Sequence, residues 1–261
     1  MAKKGTRKRK TVKKSTKIRK AKKTESKKFQ YPEISVIISS FNEEKNIRET
    51  IQRVYKTLPN SELILVEGGN DRTIEIAVEE KKKYPNMIIV HNKNDKGKGH
   101  GIRVGIQEAT KSIMAQVDAD SQFPPEELPE LIQPILDNKA DIVFCSRFVS
   151  GATVEKGSLT RMRHLANFVV SGFTSLLSGK RLTDVNAGFK AWKSDVIRDI
   201  NIQCNHFGYE PEIAVMAQKK GYKIVEVPVN YKGRQRGITN VKLIRDGIII
   251  PLFLIKTKLF R

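Results

Sequence analysis

Apolar positions between residues 34 and 145 follow two patterns in alternation. Residues 34–39, 63–66, 87–90, 113–117 and 141–145 are short, largely aliphatic runs that read as buried strands. Between them, Ile47, Ile51, Val54, Tyr55 and Leu58 recur at helical spacing within residues 44–58. Residues 71–83 read as a second helix, and a Gly-rich stretch at 96–101 enters a third that ends near Thr110. Strands that alternate with helices predict crossover connections and a mostly parallel sheet. In such sheets ligands sit beyond the carboxyl ends of the strands. Asn42-Glu43, Glu67 and Asp118-Ala119-Asp120 all fall at those ends. After Cys145 the pattern changes. Arg161, Arg163 and His164 precede an uncharged stretch, residues 165–179, that reads as a helix with an apolar face. Residues 187–192 and 222–227 read as further strands, and no internal repeat is visible.

The segment Asp118-Ala119-Asp120-Ser121-Gln122 carries the most chemistry. Two carboxylates one residue apart, where a strand feeds a turn, face a hard cation with oxygen ligands and leave positions open for phosphate oxygens. Gln122 adds a neutral oxygen. Mg2+ or Mn2+ suits Asp118, Asp120 and Gln122 as a ligand set. Pro124-Pro125 marks a turn and a helix start beyond it. Gly97-Lys98-Gly99-His100 is not a phosphate-binding P-loop, since it lacks that motif's glycine spacing and the Ser/Thr after Lys.

Charge divides the chain. Residues 1–28 carry fifteen Lys/Arg and one Glu, which is +14 of the total +21, and leave a mildly basic body of +7. Residues 1–30 have too few apolar side chains to offset ordering and are expected to be a disordered tail. Its charges suit an anionic membrane surface, and nucleic acid is the other polyanion they would bind. The tail lacks the apolar core of a secretory signal. Cys145 and Cys204 have neither metal-ligand nor disulfide spacing, which fits a reducing compartment. No run reaches the roughly 20 apolar residues of a spanning helix. Residues 248–255, followed by Lys256, Lys258 and Arg261, are long enough to lie on a bilayer. The expected organisation is a tail at 1–30, a catalytic domain at 31–246 and an apolar, basic helix at 247–261.

With these residues in order, the chain resembles inverting glycosyltransferases of family 2 with the A-type fold, and within them the dolichyl-phosphate mannose synthase branch. The resemblance runs from about Ile34 to about Asp246. It is carried by Ser35 to Glu44, by Asp118-Ala119-Asp120-Ser121-Gln122, by Cys145-Ser146-Arg147-Phe148, by Asp184 to Lys190, by Val225 to Pro228, and by Arg234 to Thr239. It implies an α/β, Rossmann-like nucleotide-diphospho-sugar transferase fold. There are departures. Ser39 stands where the family usually has Pro and Phe41 where it has Tyr. An acidic pair is reduced to Glu67 followed by Gly68, and the next loop is one residue short. A family Lys aligns with Asn240, and Lys242 stands nearby.

The resemblance implies a metal-dependent hexosyltransferase that moves a sugar from GDP-mannose, UDP-glucose or UDP-N-acetylglucosamine to a polyprenyl or dolichyl phosphate with inversion. Ser39, Phe41, Glu43, Glu67, Asp118, Ala119 and Asp120 are its expected nucleotide-sugar residues. Asp118, Asp120, Arg147, Arg161 and Arg234 are its expected catalytic residues, with Arg163 as substitute for Arg161. A phosphate acceptor is already anionic and needs arginines to position it rather than a base. A hydroxyl acceptor, as in a glycan or glycolipid, is the alternative and would need Glu210 or Glu212 as base. A further alternative of another class is a nucleic-acid-binding protein acting through its tail. The lipid-phosphate reading places the enzyme peripherally on the cytoplasmic membrane face, docked by residues 165–179 and 248–260.

Overall fold

A computed structural model describes residue 1, residues 34–233 and residues 243–261, with side chains in the last helix described from Ile249 onward. The tail, Arg234, Asn240 and Lys242 therefore lie outside the described residues. The chain divides into two units, Met1–Gln30 and Tyr31–Arg261.

The second unit is an α/β structure. Its order is β1 (Ile34–Ser40), α1 (Ile47–Thr57), β2 (Glu62–Glu67), α2 (Thr73–Lys81), β3 (Met87–His91), α3 (Lys98–Glu108) and β4 (Ile113–Gln116). A 3-10 turn at Pro125–Glu127 then leads to α4 (Leu128–Leu136), β5 (Ile142–Ser146), β6 (Thr153–Val154) and α5 (Arg161–Ser178). Next come β7 (Lys190–Lys193), α6 (Ser194–Ile200), α7 (Tyr209–Lys219), β8 (Ile224–Pro228), β9 (Asn230–Tyr231) and α8 (Leu243–Phe260). The main sheet runs β3-β2-β1-β4-β7-β5-β8. All its pairings are parallel except those of β7, which runs antiparallel between β4 and β5. The expected mostly parallel sheet is thus present. β6 and β9 form a separate two-stranded parallel pair.

The aliphatic runs are strands because both faces of the sheet are covered. Along β1, Ile34, Val36 and Ile38 enter one core with α1 and α4, while Ile37 enters the other with α3, α7 and α8. Along β2, Leu63 and Leu65 alternate with Ile64 and Val66 in the same way, as the period of two requires. β1 starts the order reversal, with β2 on one side and β4 on the other. A crevice opens beyond the carboxyl ends of strands that diverge so.

The C-terminal segment belongs to this unit. Ile250 and Leu254 of α8 lie in the second core, so the helix is docked. No helix among the described residues is long and apolar enough to cross a membrane.

Candidate active site

At the end of β1 the chain turns through Asn42, whose φ of 58° is left-handed. Asn tolerates this because its short amide bonds locally. Here Asn42 Oδ1 accepts from the N–H groups of Asn70 at 2.8 Å and Asp71 at 3.2 Å, which ties the β1 loop to the β2 loop. Phe41, half exposed, stands at the mouth beside it. Ser39 is partly exposed, and its hydroxyl lies against Gly101 of α3. Glu43 is half-buried and accepts from the Asn46 side chain at 2.6 Å.

Glu67 ends β2 fully buried. Its carboxylate accepts from Ser40 Oγ, from Asn42 N–H at 3.0 Å and from Gly69 N–H at 2.5 Å. Those three donors occupy both oxygens, so this side chain fixes the two loops in place.

Beyond β4, Asp118 and Asp120 flank Ala119, whose carbonyl accepts from Thr50 Oγ1 of α1 at 2.9 Å. Thr50 also bonds the Ser121 hydroxyl at 3.0 Å, holding that residue in a left-handed turn with φ 59°. Asp120 Oδ1 accepts from Gln122 N–H at 3.2 Å. The Asp118 carboxylate rests on Gly188, where a Cβ would collide with all three of its terminal atoms. This glycine-floored cradle, with two hard carboxylates beside each other, fits a divalent cation that completes its shell from phosphate and water. Among the described residues no group of three or more His, Cys, Asp or Glu side chains is arranged for a metal. The Gln122 side-chain amide N–H donates to the Lys232 carbonyl at 3.3 Å, and the Gln122 backbone carbonyl accepts from Lys232 N–H at 2.9 Å. It anchors the segment that leads to Arg234.

Beneath the turn lies a charge network that sequence reasoning treated only as a pair of optional bases. Lys98, at the start of α3, reaches Asp118 at 2.9 Å and Glu210 at 3.6 Å. Glu210 also meets Lys190 at 3.3 Å and accepts from Tyr209 Oη at 3.0 Å. Burial opposes the Lys98 charge, but Asp118, Tyr209 and Glu210 hold it well above its ordinary value. Burial pushes the Asp118 carboxyl up against the pull of Lys98. Burial would also raise Glu210, yet Lys190 and Lys98 bring it below the usual carboxylate range. Glu212 is fully buried and accepts from Gln203 N–H and Cys204 N–H, both at 2.9 Å, and from Arg261. Neither glutamate is open to deprotonate an acceptor. The hint in sequence was weak, since Lys98 falls in a stretch whose only readable feature was glycine.

Arg147 follows β5. Its Nε and Nη2 donate to Asp184 at 2.6 and 2.7 Å, and Asp184 is fully buried. Burial works against the guanidinium, but Asp184 outweighs it and keeps the group above its ordinary value. The guanidinium carbon lies 4.9 Å from the Tyr231 ring, 5.6 Å from Phe148 and 5.9 Å from Phe123. Three aromatic faces and a carboxylate thus fix its plane. Arg161 opens α5 and is exposed, whereas Arg163 is half-buried and acts electrostatically on the Tyr231 hydroxyl, as do Asp118 and Asp120. The structure brings together Asp118, Asp120, Lys98, Arg147 and Tyr231 at one end of the sheet, with Phe41 and Ser39 at the adjoining β1 edge.

Known proteins resemble this chain in sequence and fold. The model of glycosyl transferase family 2 matches residues 35–198. A dolichol-phosphate mannosyltransferase of Pyrococcus furiosus is 32% identical over 212 residues, 80% of this chain and 59% of that protein. The chain thus spans about three fifths of that relative's length. An undecaprenyl-phosphate mannosyltransferase of Micrococcus luteus is 26% identical over 212 residues, 78% of this chain and 85% of that protein. Glucosyl-3-phosphoglycerate synthase of Mycobacterium tuberculosis, solved with Mn2+, UDP and glucosyl-3-phosphoglycerate, superposes with a TM-score of 0.66 at 18% identity, covering 87% of this chain and 78% of that one. That last likeness is one of fold, the A-type nucleotide-sugar transferase fold expected from the motifs. With a family model covering well over half of its residues and the acidic turn seated where such folds bind ligand, this chain belongs to glycosyl transferase family 2.

Proposed function

We propose that this protein transfers a hexose, with mannose the first choice, from a nucleotide-diphosphate sugar to a polyprenyl or dolichyl phosphate, inverting the anomeric centre. The observation that carries the choice of acceptor is the state of the two glutamates. Glu210 and Glu212 are buried and held by ion pairs and backbone N–H groups, while the Arg147 guanidinium is set in place by Asp184. A hydroxyl acceptor needs a base within hydrogen-bond reach. A phosphate monoester needs only to be held.

The donor lies across the carboxyl ends of β2, β1 and β4. Ser39, Phe41 and Glu43 line its nucleoside end, and Glu67 keeps their loop in shape. Asp118 and Asp120 hold Mg2+ or Mn2+. When bound, that ion supplies positive charge to the departing diphosphate. Lys98 adds a second positive charge on the same side. Arg147 and Arg163, with Arg161 at the rim and Arg234 beyond the described segment, orient the acceptor phosphate. One acceptor oxygen attacks the sugar C1 in line, the C1–O bond to the diphosphate breaks, and its electron pair leaves with the nucleotide. No proton moves. The arginines contribute by orientation, which turns an encounter of two anions into a positioned attack.

The acceptor's lipid chain keeps it in a bilayer, and α5 supports docking there. Its buried positions are Asn167, Ser171, Thr174 and Ser178 beside Val170. Met162, Leu165, Phe168, Val169 and Leu176 face outward, Phe168 at 70% and Leu176 at 77% exposure. α8 packs beside it and exposes Ile249, Leu252, Leu259 and Phe260. Arg161, Lys180, Arg181, Lys256 and Lys258 ring these helices with positive charge, which suits the anionic face of a membrane. The tail supplies more of the same charge.

The reading is tested by incubating the full chain with labelled GDP-mannose, UDP-glucose or UDP-N-acetylglucosamine, polyprenyl phosphate and Mn2+. Label should enter the organic phase, should stop doing so with chelator, and should fall at least ~100-fold for Asp120→Ala. Transfer to a glycan hydroxyl in place of lipid phosphate, or full transfer by Asp120→Ala, overturns it.

A further inference from the structure

Gly68 follows Glu67 with no left-handed φ, so its backbone does not demand glycine. What excludes a side chain there is Asp95. A Cβ on residue 68 would stand 2.7 Å from Asp95 Cβ, 2.7 Å from its Cγ and 2.9 Å from its Oδ2. The carboxylate of the β3–α3 loop has taken the volume that a side chain at the end of β2 would fill.

That carboxylate is held in place. Oδ1 accepts from Asn92 Nδ2 at 3.0 Å, Oδ2 accepts from Gly97 N–H at 3.2 Å, and His100 Nδ1 stands 3.6 Å away. It remains 17% exposed, in contrast to Glu67, which is fully buried. Each carboxylate oxygen accepts two hydrogen bonds, so both keep capacity for a ligand.

Its place in the sheet order says which part of a ligand it meets. β2 is separated from β4 by β1 alone. Two strand spacings put Asp95 roughly 10 Å from the Asp118–Asp120 turn, which is the reach of a nucleoside extending from its diphosphate. Phe41, half exposed at the end of β1, lies between and offers an aromatic face to a base. A carboxylate would repel phosphates but accepts from N–H groups. Guanine presents two adjacent N–H donors on one edge, where uracil presents one flanked by carbonyls.

We propose that Asp95, set over Gly68, is the base-reading residue of this chain, and that it selects guanine over uracil. The proposal rests on the donor placement given above.

The test measures binding of GDP, UDP and inorganic pyrophosphate, each with Mn2+, by calorimetry on the full chain. The parent should prefer GDP. Asp95→Asn keeps an oxygen for Gly97 N–H but loses the second acceptor, and should weaken GDP at least tenfold, UDP less, and pyrophosphate not at all. The exchange Gly68→Asp with Asp95→Gly moves the carboxylate to the other strand end and should restore GDP binding. Undiminished GDP binding by Asp95→Asn overturns the proposal, as does an equal loss for all three ligands, which marks a loop-shaping role. A parent that prefers UDP overturns it as well. A parent that binds none of the three ligands fails the functional reading itself.

Discussion

Glu210 shows how a residue suited to one role is committed to another. It is fully buried, and two lysines and a tyrosine hydroxyl converge on it. Removing one member of such a network leaves the others uncompensated, at a cost of about 3–5 kcal/mol. Glu210→Gln should therefore lose stability of that order in urea unfolding at pH 7, while a base role would show as loss of turnover in a stable protein. The pH dependence has a definite sign. The folded carboxyl lies below its ordinary value of 4.5, so its contribution is complete above that pH and is lost as the pH falls through the lower folded value. Thermal melting between pH 7 and 3 should show a shallower acid-side fall for Glu210→Gln than for the parent. Glu67 and Glu212 are likewise committed to holding the backbone. Glu67 was legible as a carboxylate at a strand end and Glu212 only as a candidate base, but only folding reveals that backbone N–H groups bond both.

At the scale of elements, α5 is the informative case. The uncharged stretch at 165–179 announced a helix with an apolar face, and the helix runs Arg161–Ser178. Val170 faces the second core with Phe173 and Leu177 partly buried against it, but Met162, Leu165, Phe168, Val169 and Leu176 are on the outside. A core helix would do the reverse, and the hydroxyls of Ser171 and Ser175 instead accept from Val185 N–H at 3.2 Å and Leu182 N–H at 2.9 Å. Phe168→Ser combined with Leu176→Ser should leave the melting temperature unchanged, because neither side chain is in a core. It should weaken binding to vesicles containing anionic lipid on the order of tenfold or more, since each large apolar side chain contributes about 1.5–3 kcal/mol when fully removed from water. Equal vesicle binding by parent and variant in a sedimentation assay would refute docking through this face. α7 escaped the sequence reading for a related reason. Nine of its residues, Tyr209 through Ala217, are buried, so no wet face marks its period.

At the scale of the whole molecule, charge is divided between tail and body as +14 and +7. A chain lacking residues 1–28 should keep its turnover on detergent-solubilised lipid phosphate, because the acidic turn and its arginines are in the body. Its partition onto anionic vesicles should drop, and the difference from the parent should vanish as salt is raised, since such attraction is screened within about 10 Å at 0.1 M. Loss of detergent turnover on truncation would assign the tail a part in the site instead.

The order of strands and helices, the acidic turn and the basic arm were set by local pattern, because aliphatic runs, adjacent carboxylates and clustered lysines act over a few residues wherever they are placed. Tertiary structure decided the rest. It turned β7 against its neighbours, brought Lys98 under Asp118 and Asp184 under Arg147, closed Glu210 and Glu212 to solvent, and laid Asp95 over Gly68. Each of these pairs residues far apart in sequence. Burial and charge compensation act on distance in space, which no window along the chain contains.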